Sequence, residues 1–355
     1  MAIEARGGMQ EGRHRVDDLI TRSLWRQGPE ITTVGLGAWA MGGGGWSYGW
    51  GPQDDATSIR AIHHAVELGV NWIDTAAIYG LGHSEEVIGK ALNELPSDRR
   101  PLVFTKGGEI GDPERPYEEP VDTLAPASIR REVDASLRRL GVERIDLYQF
   151  HQPDQTGVLI EESWAELVRL ADEGKVGAIG VANFDVSLLE RAEAIRHVDS
   201  LQIQFSVMRR GAGVELIPWA KAHGTGVIVY QPMESGMLTD SFSAERVSRM
   251  AADDWRRSRD RFQEPALSRN LALRDALRPV AKRHGTSVAA VAVAWTISWP
   301  GVTGAIVGAR SPEQVDGWIA AGALRLNAED LDEIASAVES TGVGSGPVRP
   351  PTEVR

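Results

Sequence analysis

Four side chains of this 355-residue chain are of the types that move protons, and each stands at or just after the end of an apolar run. Asp74 closes the run in NWIDTAAIYG, with Tyr79 shortly after it; Lys106 closes the run in LVFTKGG; His151 closes DLYQFH. Each has an ordinary explanation when taken alone: an aspartate at a strand end caps a turn, a lysine is a solvated charge, a histidine is a hydrogen-bonded filler. Together they say more. A lysine and an aspartate directly behind apolar strands are costly to desolvate unless they pair, and a pair beside a phenol is a means of tuning its acidity. Carried on adjacent parallel strands, the four would bring a carboxylate, a phenol, an amine and an imidazole to one face.

The elements that must position them alternate strand with helix. In ELGVNWIDT, RLGVERIDLYQF, DEGKVGAIGV and AHGTGVIVY a helix-like stretch ends in glycine and a short β-branched run follows. Glycine there supplies a left-handed closing residue without a Cβ clash. Strands are expected at Thr33–Ala38, Asn71–Thr75, Leu102–Lys106, Asp146–His151, Ala178–Ala182, Leu201–Phe205, Val227–Tyr230 and Gly304–Gly308. Helices are expected between them, with one more at Pro312–Ala321 and extra ones at Leu267–His284 and Ala328–Val338. Near-continuous apolar strands separated by helices imply a parallel sheet buried on both faces, and about eight strands close a barrel. SLWRQGPEITTV predicts a hairpin turning at Gly28–Pro29 and plugging the barrel bottom. The expected fold is therefore α/β, a single (β/α)8 TIM barrel over residues 20–340 with an N-terminal β-hairpin and extra helices. Polar, aperiodic segments at 1–19 and 341–355 read as mobile tails.

Composition narrows the function classes. A net charge of −12 disfavours nucleic acid, whose binding draws its affinity from basic residues facing phosphates. No run is apolar and long enough to span a bilayer or serve as a secretory signal, so no membrane partner is expected. The chain has no cysteine, which removes disulfides and thiolate metal sites and fits a reducing, cytoplasmic setting. No His/Asp/Glu cluster has ligand spacing, so no metal is expected.

The ordered set GLGAWAMGGGG, NWIDTAAIYGLGHSEEVIGKAL, FTKGG, YQFHQPD, IGVANF and IVGARSPEQ resembles the aldo-keto reductase superfamily, especially the bacterial branch near potassium-channel β subunits and general stress proteins. The likeness runs from about Thr33 to Ile334. It implies NADP(H)-dependent reduction of small aldehydes or ketones, with Tyr79 as the general acid, Lys106 assisting it by charge, Asp74 holding Lys106, and His151 orienting the carbonyl. It also implies that Asn183 and Gln204 hold the nicotinamide carboxamide, that Tyr230 stacks under the ring, that the loop containing Pro232 covers the pyrophosphate, and that Gly308 offers its backbone. Ser311 and Gln314 are spaced as a capping box with Pro312 at the first helical position. Arg310, Gln314 and that helix start are accordingly the expected seat of the 2′-phosphate. Trp46 and Trp50, in the glycine-rich first connection, are expected to line the substrate pocket, which would favour apolar or ring-bearing carbonyl compounds. Where relatives commonly read Ser-Pro-Leu after the stacking aromatic, this chain has Gln231-Pro232-Met233.

Three other readings compete. Gly35-Leu36-Gly37-Ala38-Trp39-Ala40 hints at a dinucleotide fingerprint, but four glycines and three aromatics follow instead of the helix that it requires. A nicotinamide-binding regulatory protein with little turnover would share the fold, because fold does not fix function. The same site would also serve a sugar or alcohol dehydrogenase running in the oxidative direction.

Overall fold

The computed structural model describes residues 19–252 and 254–351. Eight parallel strands close into a barrel in chain order: β1 (Val34–Gly37), β2 (Trp72–Asp74), β3 (Leu102–Gly107), β4 (Ile145–Phe150), β5 (Val176–Ala182), β6 (Ser200–Gln204), β7 (Gly226–Tyr230) and β8 (Val302–Gly308). β8 returns to β1 through Ala305 opposite Val34 and Gly308 opposite Gly37. Every expected strand is present within about two residues of its expected limits. The connecting helices are α1 (Asp55–Glu67), α2 (His83–Glu94), α3 (Pro126–Leu140), α4 (Ile160–Asp172), α5 (Val186–Glu193) and α6 (Leu216–His223). The seventh connection carries α7 (Ala244–Ser248), α8 (Ala266–Ala276), α9 (Arg278–Arg283) and α10 (Val288–Ile297), and α11 (Pro312–Asp316) and α12 (Ala328–Thr341) follow β8. Gly141 and Gly224 close α3 and α6 at φ of 66° and 77°, as the glycine pattern requires.

Two packed regions hold the barrel. Outside it, the apolar faces of the helices lie on Val34, Ile73, Val103, Ile179 and Val307. Inside, at the bottom, Leu24 and Ile31 from the hairpin Thr21–Ser23/Glu30–Thr32 join Trp72, Phe104, Leu147, Ala178, Ile228 and Ile306. The hairpin is thus the plug the sequence suggested. Trp72 donates its indole N–H to Thr32 O at 2.7 Å, and its ring occupies the space that a side chain at Gly35 would need. Gly226 is required for a similar reason, because a Cβ there would lie 1.6 Å from the backbone oxygen of Leu24. Gly226→Ala should push the hairpin off the barrel floor and cost about 1–3 kcal/mol, the range for overpacking a core. An unchanged urea midpoint would show that the hairpin is not seated there.

Three expectations need correction. The long helix expected at Leu267–His284 is two helices, α8 and α9, because Pro279 lacks the N–H that would continue the ladder. The helix expected at Pro312–Ala321 stops at Asp316, and a 3₁₀ turn at Ile319–Gly322 follows. The chain beyond 341, expected as a mobile tail, is fastened through 342–350. Buried Arg210 donates to Val343 O at 3.0 Å and to Gly346 O at 3.4 Å, Val343 is itself buried, and Arg349 pairs with Asp332. The N-terminal tail expectation covers residues 1–19, of which 1–18 lie outside the described residues.

Candidate active site

The carboxyl ends of β2, β3 and β4 bring the four proton-handling side chains together. Lys106, wholly buried, donates to Asp74 Oδ1 at 2.6 Å, to Thr75 O at 2.8 Å and to the Tyr79 hydroxyl at 3.4 Å. The second oxygen of Asp74 accepts from Gln202 Nε2 at 2.9 Å, so the buried carboxylate is satisfied on both sides. The Tyr79 ring meets His151 edge-on, with centroids 5.6 Å apart at 76°. Burial, opposed by the Asp74 charge, draws the Lys106 ammonium below its ordinary value. Burial, reinforced by the charges of Asp74 and Glu109, pushes the Tyr79 phenol well above its own.

With Lys106 buried behind them, Asp74, Tyr79, His151 and Gln202 line a cavity of about 940 Å³. Its aromatic wall comes from two loops that meet over Tyr79. Trp39 stacks on Trp255 at 5.1 Å and 22° and on Tyr79 at 6.0 Å and 21°, Trp50 stands edge-on to Trp39 at 5.4 Å, and Trp46 lies 6.4 Å from Tyr79. Trp46 and Trp50 both line the cavity, Trp46 as a buried side chain. Trp39 and Trp255 complete the wall without having been anticipated. Trp39 follows β1 directly and had a signal in its position, whereas Trp255 comes from the long seventh connection and had none.

Asn183, Gln204, Tyr230, Pro232, Gly308, Arg310 and Gln314 all line the same cavity. Asn183, at φ 63°, donates to His151 O at 3.1 Å and accepts from the Tyr230 hydroxyl at 2.8 Å. Tyr230 is pushed up to about 12 by burial. Gln204 is held by Gln231 at 2.5 Å and Arg209 at 3.1 Å. The loop after β7 has left-handed backbone at Gln231, Glu234 and Ser235, with φ of 55°, 47° and 56°. Such residues cost about 1–3 kcal/mol each and persist where the surroundings over-determine them, often at ligand clamps. Here buried Glu234 accepts from Ser206 at 2.6 Å, and Arg256 holds Ser235 O at 3.1 Å.

At the other end of the cavity the expected capping box is absent. Ser311 makes no side-chain cap, and Gln314 accepts instead from the Arg310 N–H at 2.8 Å, one residue early. The Arg310 guanidinium bonds Gln53 at 2.7 Å, Trp50 O at 3.2 Å and Pro52 O. Arg246 and Arg256 flank it, and Asp254, bound to Arg256 at 2.6 Å, partly offsets them. Burial and then repulsion from Arg256 lower the Arg310 guanidinium.

Two site residues had signals that pass unnoticed in the sequence. Gln202 shares the inward face of SLQIQ with Gln204 at the strand period of two. Glu109, three residues after Lys106, puts its carboxylate 2.9 Å from His151 Nδ1. Among the described residues no group of three or more His/Cys/Asp/Glu could hold a metal ion, and no helix is long and apolar enough to cross a membrane.

Comparison with known proteins agrees with this geometry. The profile of the Aldo/keto reductase family matches residues 33–339. The chain is 34% identical to the Bacillus subtilis (strain 168) protein "Aldo-keto reductase YhdN" over 93% of this chain and 98% of that one. It is 33% identical to the Escherichia coli (strain K12) "NADH-specific methylglyoxal reductase" over 87% and 96% of the two chains. The solved structure of glycerol dehydrogenase AKR11B4 from Gluconobacter oxydans is similar at a TM-score of 0.81 and 34% identity, covering 95% of this chain and 99% of that one. A barrel whose strand ends join a buried lysine–aspartate pair to a phenol, matched along nearly its whole length by these proteins, places the chain in the aldo/keto reductase family of oxidoreductases, which work with nicotinamide cofactors.

Proposed function

We propose that the protein reduces aldehydes or ketones to alcohols, with NADPH preferred as the cofactor and Tyr79 as the general acid. One observation carries this reading: the Tyr79 hydroxyl lies 3.4 Å from a buried Lys106 that is paired with Asp74, on the floor of an aromatic cavity. The nicotinamide, when bound, supplies hydride to the carbonyl carbon. Tyr79 gives its proton to the carbonyl oxygen, and the phenolate left behind faces the Lys106 ammonium. Because burial keeps the phenol protonated, reduction is favoured over an oxidation that would need phenolate as base.

The cavity walls suit the cofactor. Asn183, pinned between His151 O and the Tyr230 hydroxyl, fixes the Tyr230 ring as a flat wall against which a nicotinamide can stack. Gln204 is already engaged by Gln231 and Arg209, so its share in holding the carboxamide requires one of those contacts to open. Gly308 lets a ligand approach the backbone closely, since nothing but Gly37 O lies within 4 Å of where its Cβ would be. The tethered loop containing Pro232 covers the pyrophosphate.

The 2′-phosphate would rest among the guanidiniums of Arg310, Arg256 and Arg246, with Gln314 holding the Arg310 N–H in place. Arg246 adds a second guanidinium, itself lowered by burial and by Arg256. Arg310→Ala and Arg246→Ala should each raise the KM for NADPH about tenfold or more while moving the KM for NADH little, in line with charged hydrogen bonds. Equal effects on both cofactors would sink the phosphate assignment. Trp46 and Trp50, with Trp39 and Trp255, favour carbonyl compounds with an apolar or ring-bearing body. The absence of cysteine supports a cytoplasmic setting.

The test is the loss of NADPH absorbance with aromatic aldehydes, aliphatic aldehydes and ketones, run beside NADH and beside Tyr79→Phe. Turnover that disappears in the variant supports the reading. Tight cofactor binding without turnover on any carbonyl would move the protein to a regulatory role.

A further inference from the structure

Outside the tetrad, one carboxylate reaches the imidazole. Glu109 sits in the short strand Glu109–Ile110, which leaves β3 and pairs with Val121–Asp122 beside the cavity mouth. Its side chain is 13% exposed and that of His151 12%, so the 2.9 Å between Oε2 and Nδ1 spans a site that water screens poorly. Burial alone would raise the Glu109 carboxyl, yet it is held below its ordinary value, by His151 first and by Lys106 after it. The contact is an ion-pair distance without the angle of a linear hydrogen bond. Nδ1 has no other protein partner, and the ring lines the cavity.

Of the other groups around the imidazole, Asp122 also feels its charge, but less directly. Across the hairpin, Asp122 is pushed up to about 6 by burial and by Glu109, so Glu109 is the carboxylate that carries charge first as pH rises. From the connection after β2, Tyr79 offers its ring edge, and from β3 Lys106 is committed to Asp74. From β7, Tyr230 is committed to Asn183. From the first connection, Tyr48 is pushed up to about 12, by burial and then by Glu119, which accepts from its hydroxyl.

We propose that Glu109 is a positioning residue that holds the Nδ1–H of His151, so that Nε2 meets the substrate carbonyl as the donor of a doubly protonated ring. The chemistry follows from the two nitrogens. With Nδ1 protonated against a carboxylate, a neutral ring has only a lone pair at Nε2 and would repel a carbonyl oxygen. Only the charged ring can donate there, and a charge-assisted hydrogen bond is roughly twice as strong as a neutral one. His151 shares that proton without transferring it; the proton that ends on the alkoxide comes from Tyr79, and the hydride from the nicotinamide. This inference rests on the carbonyl-reductase reading above.

Glu109→Gln keeps an acceptor for Nδ1–H and removes the charge. It should lower kcat at neutral pH about tenfold, move the basic limb of the kcat profile to lower pH, and leave the cofactor KM unchanged. Glu109→Asp, which draws the carboxylate back by one methylene, should fall between wild type and Glu109→Gln. In parallel, ¹⁵N spectra of histidine-labelled, cofactor-free protein should show the doubly protonated His151 ring surviving to higher pH in wild type than in Glu109→Gln. If either the kcat limb or the ¹⁵N titration stays put in a folded Glu109→Gln or Glu109→Asp variant, the proposal is overturned. A wild-type protein inactive on every carbonyl would defeat the reaction assigned above instead, while the ¹⁵N titration would still judge the ion pair.

Discussion

Tyr79→Phe should cut the single-turnover rate of NADPH oxidation by about 10²–10⁴-fold, the range for removing a positioned general acid. The variant deletes one oxygen and keeps the ring in its contacts with Trp39, Trp46 and His151, so packing and the cavity shape should survive. Nicotinamide affinity, read from fluorescence quenching, should change less than about twofold, because the loss falls on an interaction strengthened only in the transition state. Retention of more than about a tenth of the rate would hand the acid role to another group, with Lys106 and His151 the candidates beside it.

The same phenol sets an expectation for direction. Burial first, and then the charges of Asp74 and Glu109, raise Tyr79 above its ordinary value of 10.0, so it stays protonated through the neutral range. The wild-type reduction should therefore show no loss of activity from this group as pH rises through neutrality. Oxidation of an alcohol by NADP⁺ needs the phenolate and should climb steadily with pH. An oxidation rate that peaks at neutral pH would mean that binding of the oxidised cofactor, whose ring is cationic, pulls the phenol down by more than burial and the neighbouring carboxylates push it up.

What the sequence made legible divides along physical lines. Strand positions were readable because apolar runs following a closing glycine have one stable use in an α/β layer, and the end of such a run places its polar residue at the barrel mouth. Asp74, Lys106 and His151 were found that way, and Tyr79 followed from its nearness to Asp74. Helix ends were less readable. Ser311 and Gln314 have capping-box spacing, yet Gln314 reaches the Arg310 N–H and leaves Ser311 without the cap, a choice between neighbouring donors that spacing alone does not decide. Contacts between loops were hidden altogether. Trp255 meets Trp39 across more than two hundred residues of chain, and the arginines beside Arg310 arrive through the irregular seventh connection. Glu109 was hidden for another reason: a carboxylate past a strand end looks solvated until the small hairpin folds it back on His151.

The second large effect concerns Lys106, and stability and activity can be separated there. Lys106→Met removes the cation from a wholly buried pair and leaves Asp74 with Gln202 as its remaining side-chain partner. Breaking a buried pair from one side costs about 3–5 kcal/mol, most of it the stranded charge. The same change strips the phenolate of its counter-charge, so the rate should fall about 10²–10³-fold, comparable to losing one preorganised electrostatic contact. Asp74→Leu added to Lys106→Met then provides the discriminating measurement. Replacing both members with apolar groups of similar size is often neutral for folding. The double variant should thus recover most of the urea midpoint and none of the rate. Recovery of both would mean that the pair serves the barrel alone; recovery of neither would mean that Thr75 O and Gln202, left facing apolar side chains, cost as much as the stranded carboxylate. The expected split, a restored fold without restored turnover, would assign the buried lysine to the chemistry of Tyr79.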